Sequence, residues 1–299
     1  DGKVFGLVER HEGTEVQVEG QTILVSKDAD EIIRGIGGTI ATSGMTTTGV
    51  MACFRTLAER CQLREEDLNL LVTGGPDGDL GANQLQCYRG RICMVVDSGA
   101  VLFDPDGLDR KALLRLAVSR HTRPRLNTTS FPVECLGPRG FIVRRTDRNV
   151  TLPDGTLVED GAFFHSNVLV TPENRRFLSQ ANIRAFVPCG GLKDTINFAN
   201  VRAFLANFQE LLLIVEGANV FFDDSAREII ARESTIVQIK DSTANKGGVT
   251  SSSLAEVLTA FLLGEDYEKA LVDNEANRCR LVHELLSIIA RERRRAMRL

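Results

Sequence analysis

The densest cluster of residues able to do chemistry follows an apolar run at Leu68–Thr73, where the chain reads Gly74-Gly75-Pro76-Asp77-Gly78-Asp79-Leu80-Gly81-Ala82-Asn83. Glycines at the carboxyl end of a buried strand let the backbone turn sharply and approach a pyrophosphate, whose charge the free amides of the next helix N-terminus can meet. In the usual G-x-G-x-x-G spacing Gly78 and Gly81 supply the last two glycines, while Pro76 stands at the first and Gly75 is one residue early. A tight strand-to-helix turn would read the same way. Asp97 is the second element, ending the next apolar run 19 residues after Gly78. A carboxylate there can accept hydrogen bonds from the adenosine ribose of NAD and would repel the 2′-phosphate of NADP. The alternative is that it caps the Ser98-Gly99 turn. Together, loop and acid favour dinucleotide binding.

These groups need strands and helices to hold them. Continuous apolar runs at Leu68–Thr73, Ile92–Asp97, Arg184–Val187, Leu211–Val215 and Thr235–Lys240 predict strands buried on both faces of a parallel sheet. Helical spacing predicts helices over 46–61, 81–89, 108–119, 200–208 and 225–233. Strand and helix alternate, so the fold class is α/β, a Rossmann-like doubly wound sheet that is mainly parallel. Before it, residues 1–36 carry three alternating bursts (KVFGLVE, TEVQVEG and QTILV), the signature of a small antiparallel sheet. Residues 120–170 interrupt the order and read as a possible insertion, with Pro153-Asp154-Gly155 as a hairpin turn. Residues 251–299 are expected to be helical, first Ser252–Leu263 and then about Asn274–Met297. The domain division is therefore 1–36, 37–250 and 251–299.

Composition narrows the classes. In 299 residues, 43% are hydrophobic and 25% charged, which fits a folded globular chain and excludes disordered or collagen-like ones. A net charge of −4 argues against nucleic acid as the main partner. Seven cysteines without a CxxC pair argue against a disulfide framework or zinc finger and fit a reducing intracellular compartment, cytoplasm or mitochondrial matrix alike. No apolar run reaches the roughly 18–20 residues that span a bilayer, so no membrane role is expected. The chain opens Asp1-Gly2-Lys3, which reads as a piece of a longer polypeptide.

The blocks TGGPDGDLGANQL (73–85), VVDSGAVLFDPDGLD (95–109), FVPCGG (186–191), VEGANVFF (215–222) and KDSTANKGGVTSSSL (240–254) together resemble the large, NAD-specific type of glutamate dehydrogenase. The resemblance implies a coenzyme domain for NAD and the conversion of L-glutamate, NAD and water to 2-oxoglutarate, ammonium and NADH. It places Thr46 at the nicotinamide carboxamide, Gly78, Asp79 and Gly81 in the phosphate loop, and Asp97 at the ribose. It sets backbone groups of Cys189 and Gly190 along the cleft, Asn219 and Asn245 at the nicotinamide end, and Ser252 on the side-chain carboxylate of glutamate. The residues support part of this: both asparagines follow strand ends, amides can donate and accept as a carboxamide requires, and Thr250 to Ser253 could open a helix that attracts a carboxylate. Ordinary capping by a serine-rich helix start is the alternative. Asp79 departs from the asparagine of the small hexameric enzymes, and an N-cap role is the simplest account.

Oxidative deamination also needs a proton relay and a cation for the α-carboxylate. In the family these lie in a G-x-K-G-G segment and a later aspartate, and neither occurs here; the only Lys-Gly-Gly is Lys246-Gly247-Gly248. No catalytic residue is assigned within this chain. Lys193 reads as a solvated lysine, histidines 11, 121, 165 and 283 as surface or packing residues without metal spacing, and Cys189 as packing rather than a nucleophile. The arginines at the C-terminal end read as a solvated helix end. A missing substrate domain of the same polypeptide and a homo-oligomer are the expected partners. Two other readings remain open, a non-catalytic dinucleotide-binding or regulatory module and a sister dehydrogenase acting on leucine, valine or phenylalanine.

Overall fold

The structure is a computed structural model that describes residues 14–18, 20–25, 44–119 and 126–297. The first described element is a hairpin of β1 (Thr14–Val18) and β2 (Gln21–Val25), antiparallel with Thr14 opposite Val25. The alternating burst at residues 3–9 lies outside the described residues. Helix α1 (Thr46–Arg60) leads into β3 (Asn69–Thr73), α2 (Asp79–Cys87), β4 (Ile92–Val96), β5 (Ala100–Phe103) and α3 (Arg110–Val118). Next come β6 (Phe141–Arg144), β7 (Arg148–Thr151), β8 (Leu157–Asp160), α4 (Gly161–Asn167), α5 (Arg175–Leu178) and β9 (Ile183–Pro188). The chain continues through α6 (Val201–Asn207), β10 (Leu213–Val215), α7 (Asp224–Glu233), β11 (Val237–Ile239) and α8 (Asp241–Ala244). It ends with α9 (Gly247–Ser251), a π-helical stretch Ser252–Leu258, α10 (Thr259–Leu263) and the long α11 (Glu275–Ala296).

Seven strands form one sheet in the order β11-β10-β9-β3-β4-β5-β6. The neighbours from β11 to β4 are parallel, and β5 is antiparallel to both β4 and β6. Period-2 alternation sorts each strand onto two faces. Leu70 and Val72 of β3, Ala185 and Val187 of β9, and Leu213 and Val215 of β10 pack with Val50, Met51 and Phe54 of α1 and Leu285, Leu286 and Ile289 of α11. Leu71, Phe186 and Ile214 turn the other way, toward Val201 and Phe204 of α6 and Ile229 and Ile230 of α7. Helices start where the sequence supplies a cap: the carboxylates of Asp109, Asp160 and Asp223 accept from backbone amides in the first turns of α3, α4 and α7.

Four expectations change. β11 is an edge strand, with Val237 40% exposed, so it is not buried on both faces. After β4 the chain does not cross over through a helix but turns straight back at Ser98-Gly99 into β5. Within the supposed insertion 120–170, β6 completes the main sheet, while β7 and β8 form the separate hairpin expected around Pro153-Asp154-Gly155. The predicted helix Ser252–Leu263 is a π-helical stretch running into α10. The apolar face of α11 closes the α1 side of the core, and Arg60 and Arg293 bond the carbonyls of Met297 and Thr243 across it.

Phe186 is fully buried, with the rings of Phe204, Phe221 and Phe222 centred 6.0, 5.5 and 6.1 Å away. Replacing it by alanine leaves a cavity between β9 and α6. We expect Phe186→Ala to cost about 3–5 kcal/mol, read as a lower urea midpoint at unchanged slope.

Candidate coenzyme cleft

The strand order reverses between β3 and β9, and the helices after these strands lie on opposite faces of the sheet, leaving a crevice at the carboxyl ends. A cavity of about 570 Å³ sits there. Its walls come from Thr73 to Gly75, Asp77 and Gly78 after β3, Val96 to Ser98 after β4, and Cys189 to Leu192 after β9, with His165 and Arg145 on the rim.

The backbone holds this point tightly. Gly74 N donates to Val96 O (2.8 Å), Cys189 N to Thr73 O (2.7 Å), and Thr73 Oγ1 to Gly190 O (2.6 Å). Gly74 has φ +83°, and a Cβ on it would stand 2.5 Å from Gly190 N. Gly74 thus does the work of the turn glycine that the spacing placed at Pro76. A Cβ on Gly81 would lie 2.3 Å from Gly75 O, so Gly81 serves the close packing of α2 on the loop. Gly78 differs: a Cβ there would make only an ordinary 3.5 Å contact with Gly75 O. The fold itself does not require that glycine, and its bare backbone lines the cavity just before the N-terminus of α2. Asp79 does not cap the helix as expected. Gly78 is the N-cap, no side-chain cap bond is made, and Asp79 is the first helical residue, where its charge favours the positive end of the helix.

Asp97 is 4% exposed and its carboxylate is heavily engaged. Oδ1 accepts from Gly99 N (2.8 Å), Ala100 N (3.1 Å) and Thr128 Oγ1 (2.6 Å), and Oδ2 accepts from Thr128 N (2.7 Å). This is the turn-capping alternative, extended to a loop 31 residues away. No local spacing points to Thr128, because the contact is made through a distant segment. His165, expected as a surface or packing residue, pairs through Nε2 with the carbonyl of Asp97 at the cavity rim, placed there by the Asp160-capped α4.

Burial raises the thiol pKa of Cys189, as it pushes Cys53 up to about 11 and Cys93 up to about 12. Cys189 therefore presents backbone and bulk to the cavity rather than a thiolate. Lys193 is 73% exposed beside Asp194, as a solvated lysine should be. Among the described residues no group of three or more histidine, cysteine or acidic side chains could hold a metal, and no helix is long and apolar enough to cross a membrane.

A second cluster lies beyond Gly217, where an added Cβ would stand 2.5 Å from Leu80 Cδ2 of α2 and 3.1 Å from Pro188 O. Asn245 Nδ2 donates to Asn219 Oδ1 (2.6 Å) and Gly217 O (3.1 Å), so the two asparagines form one unit. Thr46 stands against them through Gly247 and Gly248: a Cβ on Gly247 would collide with Met45 O, and one on Gly248 would reach Thr46 Oγ1 at 3.4 Å. The structure thus brings Gly78, Asp97, Cys189 and Gly190 to the cavity, and Thr46, Asn219 and Asn245 to a neighbouring group. Ser252 does not start a helix, because the chain is already helical from Gly247; it opens the π-helical stretch.

Under the asparagine pair lies a buried charge cluster. Glu216 is fully buried; its Oε1 and Oε2 accept from Arg227 Nε (2.9 Å) and Nη2 (2.6 Å), and Gln238 adds a bond of 3.0 Å. Arg227 also pairs with Asp224 (2.8 Å) and approaches Asp241 (3.9 Å). Asp241 in turn accepts from the amide of Val220, held at φ +49° directly after Asn219. Burial raises the Glu216 carboxyl above its ordinary range, and the bonds from Glu216 raise the Arg227 guanidinium.

Sheet order, glycine loop and switch-point cavity define a Rossmann-like dinucleotide-type domain. The family described as Glutamate/Leucine/Phenylalanine/Valine dehydrogenase matches residues 37–277, and the chain belongs to it. It is 39% identical over 225 residues to glutamate dehydrogenase 2 of Dictyostelium discoideum and 36% identical over 228 residues to the NAD-specific glutamate dehydrogenase of Saccharomyces cerevisiae. Each match covers 75% of this chain and 20% of the relative, so the chain spans one fifth of the length of these curated relatives. Among solved structures, Plasmodium falciparum glutamate dehydrogenase superposes with a TM-score of 0.54 at 15% identity, covering 85% of this chain and 44% of that one, a likeness of fold.

Arg227→Met would strand the Glu216 carboxylate in a buried site, and we expect a loss of about 3–5 kcal/mol. Without its partner, Glu216 titrates higher still in the folded chain than in the unfolded one. Folding then takes up a proton, so the deficit should shrink as pH falls through that raised pKa; unfolding curves across acid and neutral pH check the slope. For the thiols, native alkylation at neutral pH followed by mass spectrometry should modify Cys61, Cys135 and Cys279, which are partly exposed, well before Cys53, Cys87 and Cys93, which are buried.

Proposed function

We propose that this chain is the coenzyme-binding part of an NAD-dependent glutamate dehydrogenase that converts L-glutamate to 2-oxoglutarate and ammonium. The observation that carries the reading is the switch-point cavity floored by the bare backbone of Gly78 ahead of α2. In this reading Gly78 and Gly81 shape the pyrophosphate seat and Asp79 completes the first turn of its helix. Cys189 and Gly190 wall the cleft with backbone groups. Thr46, Asn219 and Asn245 receive the carboxamide end, where amides can both donate and accept. Ser252 is assigned, from the family motif, to the side-chain carboxylate of glutamate. When bound, NAD supplies the hydride acceptor. The chain's own share is to bind the coenzyme, orient it and keep one face of its ring toward the substrate.

The proton relay and the cation for the α-carboxylate belong to a substrate domain of the same polypeptide, which residues 251–299 approach, and the complete protein is a homo-oligomer. The names of the Dictyostelium and yeast relatives favour glutamate over an apolar amino acid, although the family description spans both.

Titration of the purified 299-residue chain with NADH, followed by coenzyme fluorescence, should give saturable binding. The same chain should form no NADH from glutamate and NAD. Absence of binding would leave the non-catalytic structural reading standing, and steady turnover would contradict the division of labour between domains.

A further inference from the structure

Asn219 and Asn245 sit on different loops, yet their amides meet in one fixed order. Gly217 O can only accept, so the Asn245 atom 3.1 Å from it is Nδ2, and the Asn219 atom 2.6 Å from that nitrogen is Oδ1. Both hydrogens of Asn245 Nδ2 are thereby spent. The pair is left with Asn219 Nδ2 as a donor and Asn245 Oδ1 as an acceptor, the complement of a carboxamide. A small shift of either loop would undo that order.

One residue holds the two loops in step, Asp241, which is 6% exposed. On the Asn219 side its Oδ2 accepts from Val220 N at 2.6 Å. Val220 has φ +49°, a conformation that β-branched residues rarely adopt, and its carbonyl accepts from Asp194 N at 2.7 Å. The side chain of Val220 is 40% exposed, so packing does not impose this backbone; the two hydrogen bonds do. On the Asn245 side, Asp241 is the first residue of α8. There its Oδ1 accepts from Ser242 N at 2.6 Å and its carbonyl accepts from Asn245 N at 2.9 Å. Arg227 Nη2 faces Oδ1 at 3.9 Å and is itself fixed by Glu216, which gives the carboxylate a counter-charge that cannot wander.

Resting on the reading of these asparagines as the receivers of the carboxamide end, we propose that Asp241 is a positioning residue for the nicotinamide ring. It sets Asn219 through the left-handed Val220, and Asn245 through the first turn of α8. The coenzyme meets the two amides, and Asp241 meets only the backbone that carries them.

A ligand without the ring separates positioning from folding. The 299-residue chain and its Asp241→Ala and Asp241→Asn variants, each also combined with Val220→Gly, are titrated calorimetrically with NADH and with ADP-ribose, which lacks the nicotinamide. We expect Asp241→Ala to weaken NADH about tenfold or more, the size of a hydrogen bond to a charged group, and to leave ADP-ribose unchanged. Asp241→Asn keeps the shape and one acceptor oxygen where two amides need one each. It should therefore fold even if Asp241→Ala does not, and show the same selective loss. Glycine adopts positive φ without strain, so in the Val220→Gly background the penalty of either Asp241 variant should shrink severalfold. A loss common to NADH and ADP-ribose, no loss of NADH, or a penalty equal in both backgrounds overturns the assignment. If the unaltered chain binds no NADH, the coenzyme reading itself fails; if it binds NADH and the Asp241 variants show no selective loss, only this assignment fails.

Discussion

The cleft depends on three strands, β4, β3 and β9, ending side by side and being tied there by their own backbone. Val96 O receives the amide of Gly74, and Thr73 O receives the amide of Cys189, so each strand's last carbonyl fixes the first loop residue of its neighbour. Thr73 Oγ1 closes the set on Gly190 O. With polar groups satisfied in this way, the loops can leave the sheet in opposite directions without an orphaned carbonyl, and a crevice opens where they part. Gly74 and Gly190 approach too closely for any side chain, which keeps the floor flat.

Two hydrophobic faces support that floor unequally. One is an aromatic layer, in which Phe186, Phe204, Phe221 and Phe222 meet edge-on or tilted, directly under β9. The other is helical, with α1 and α11 packed together on β3 and β10. Phe221 and Phe222 follow Asn219 and Val220 immediately, so the loop carrying the asparagine is anchored by rings on one side and by the charge cluster on the other.

Much of this was legible in the residues. Buried parallel strands announce themselves as unbroken apolar runs, and β3, β4, β9 and β10 fall where Leu68–Thr73, Ile92–Asp97, Arg184–Val187 and Leu211–Val215 place them. The glycine loop was recognisable because its spacing follows from a local geometry. β5 and β6 were harder, since their partners are fixed by a two-residue turn and by a segment some forty residues on. The occupancy of Asp97 by Thr128, the placing of His165 and the Glu216–Arg227 pair were illegible for the same reason: each joins residues whose separation carries no periodic signal. Helix continuity from Gly247 past Ser252 could not be seen because two adjacent glycines carry no helical pattern, whereas at Gly247 the close seat against Met45 O admits only glycine and lets the helix pass.

The buried cluster of Glu216, Arg227 and Asp241 also bears on how such a chain can diverge. Arg227 pairs with Glu216 and Asp224 and approaches Asp241, so the arginine cannot be lost without stranding the buried Glu216 carboxylate, and losing that carboxylate leaves the guanidinium to its two outer acids alone. Neutral drift is therefore hindered most at Arg227 and Glu216, where a change calls for a concerted one. The three positions should therefore travel through descent as a block, and a homologous chain that has replaced one of them should reveal its compensation at the other two.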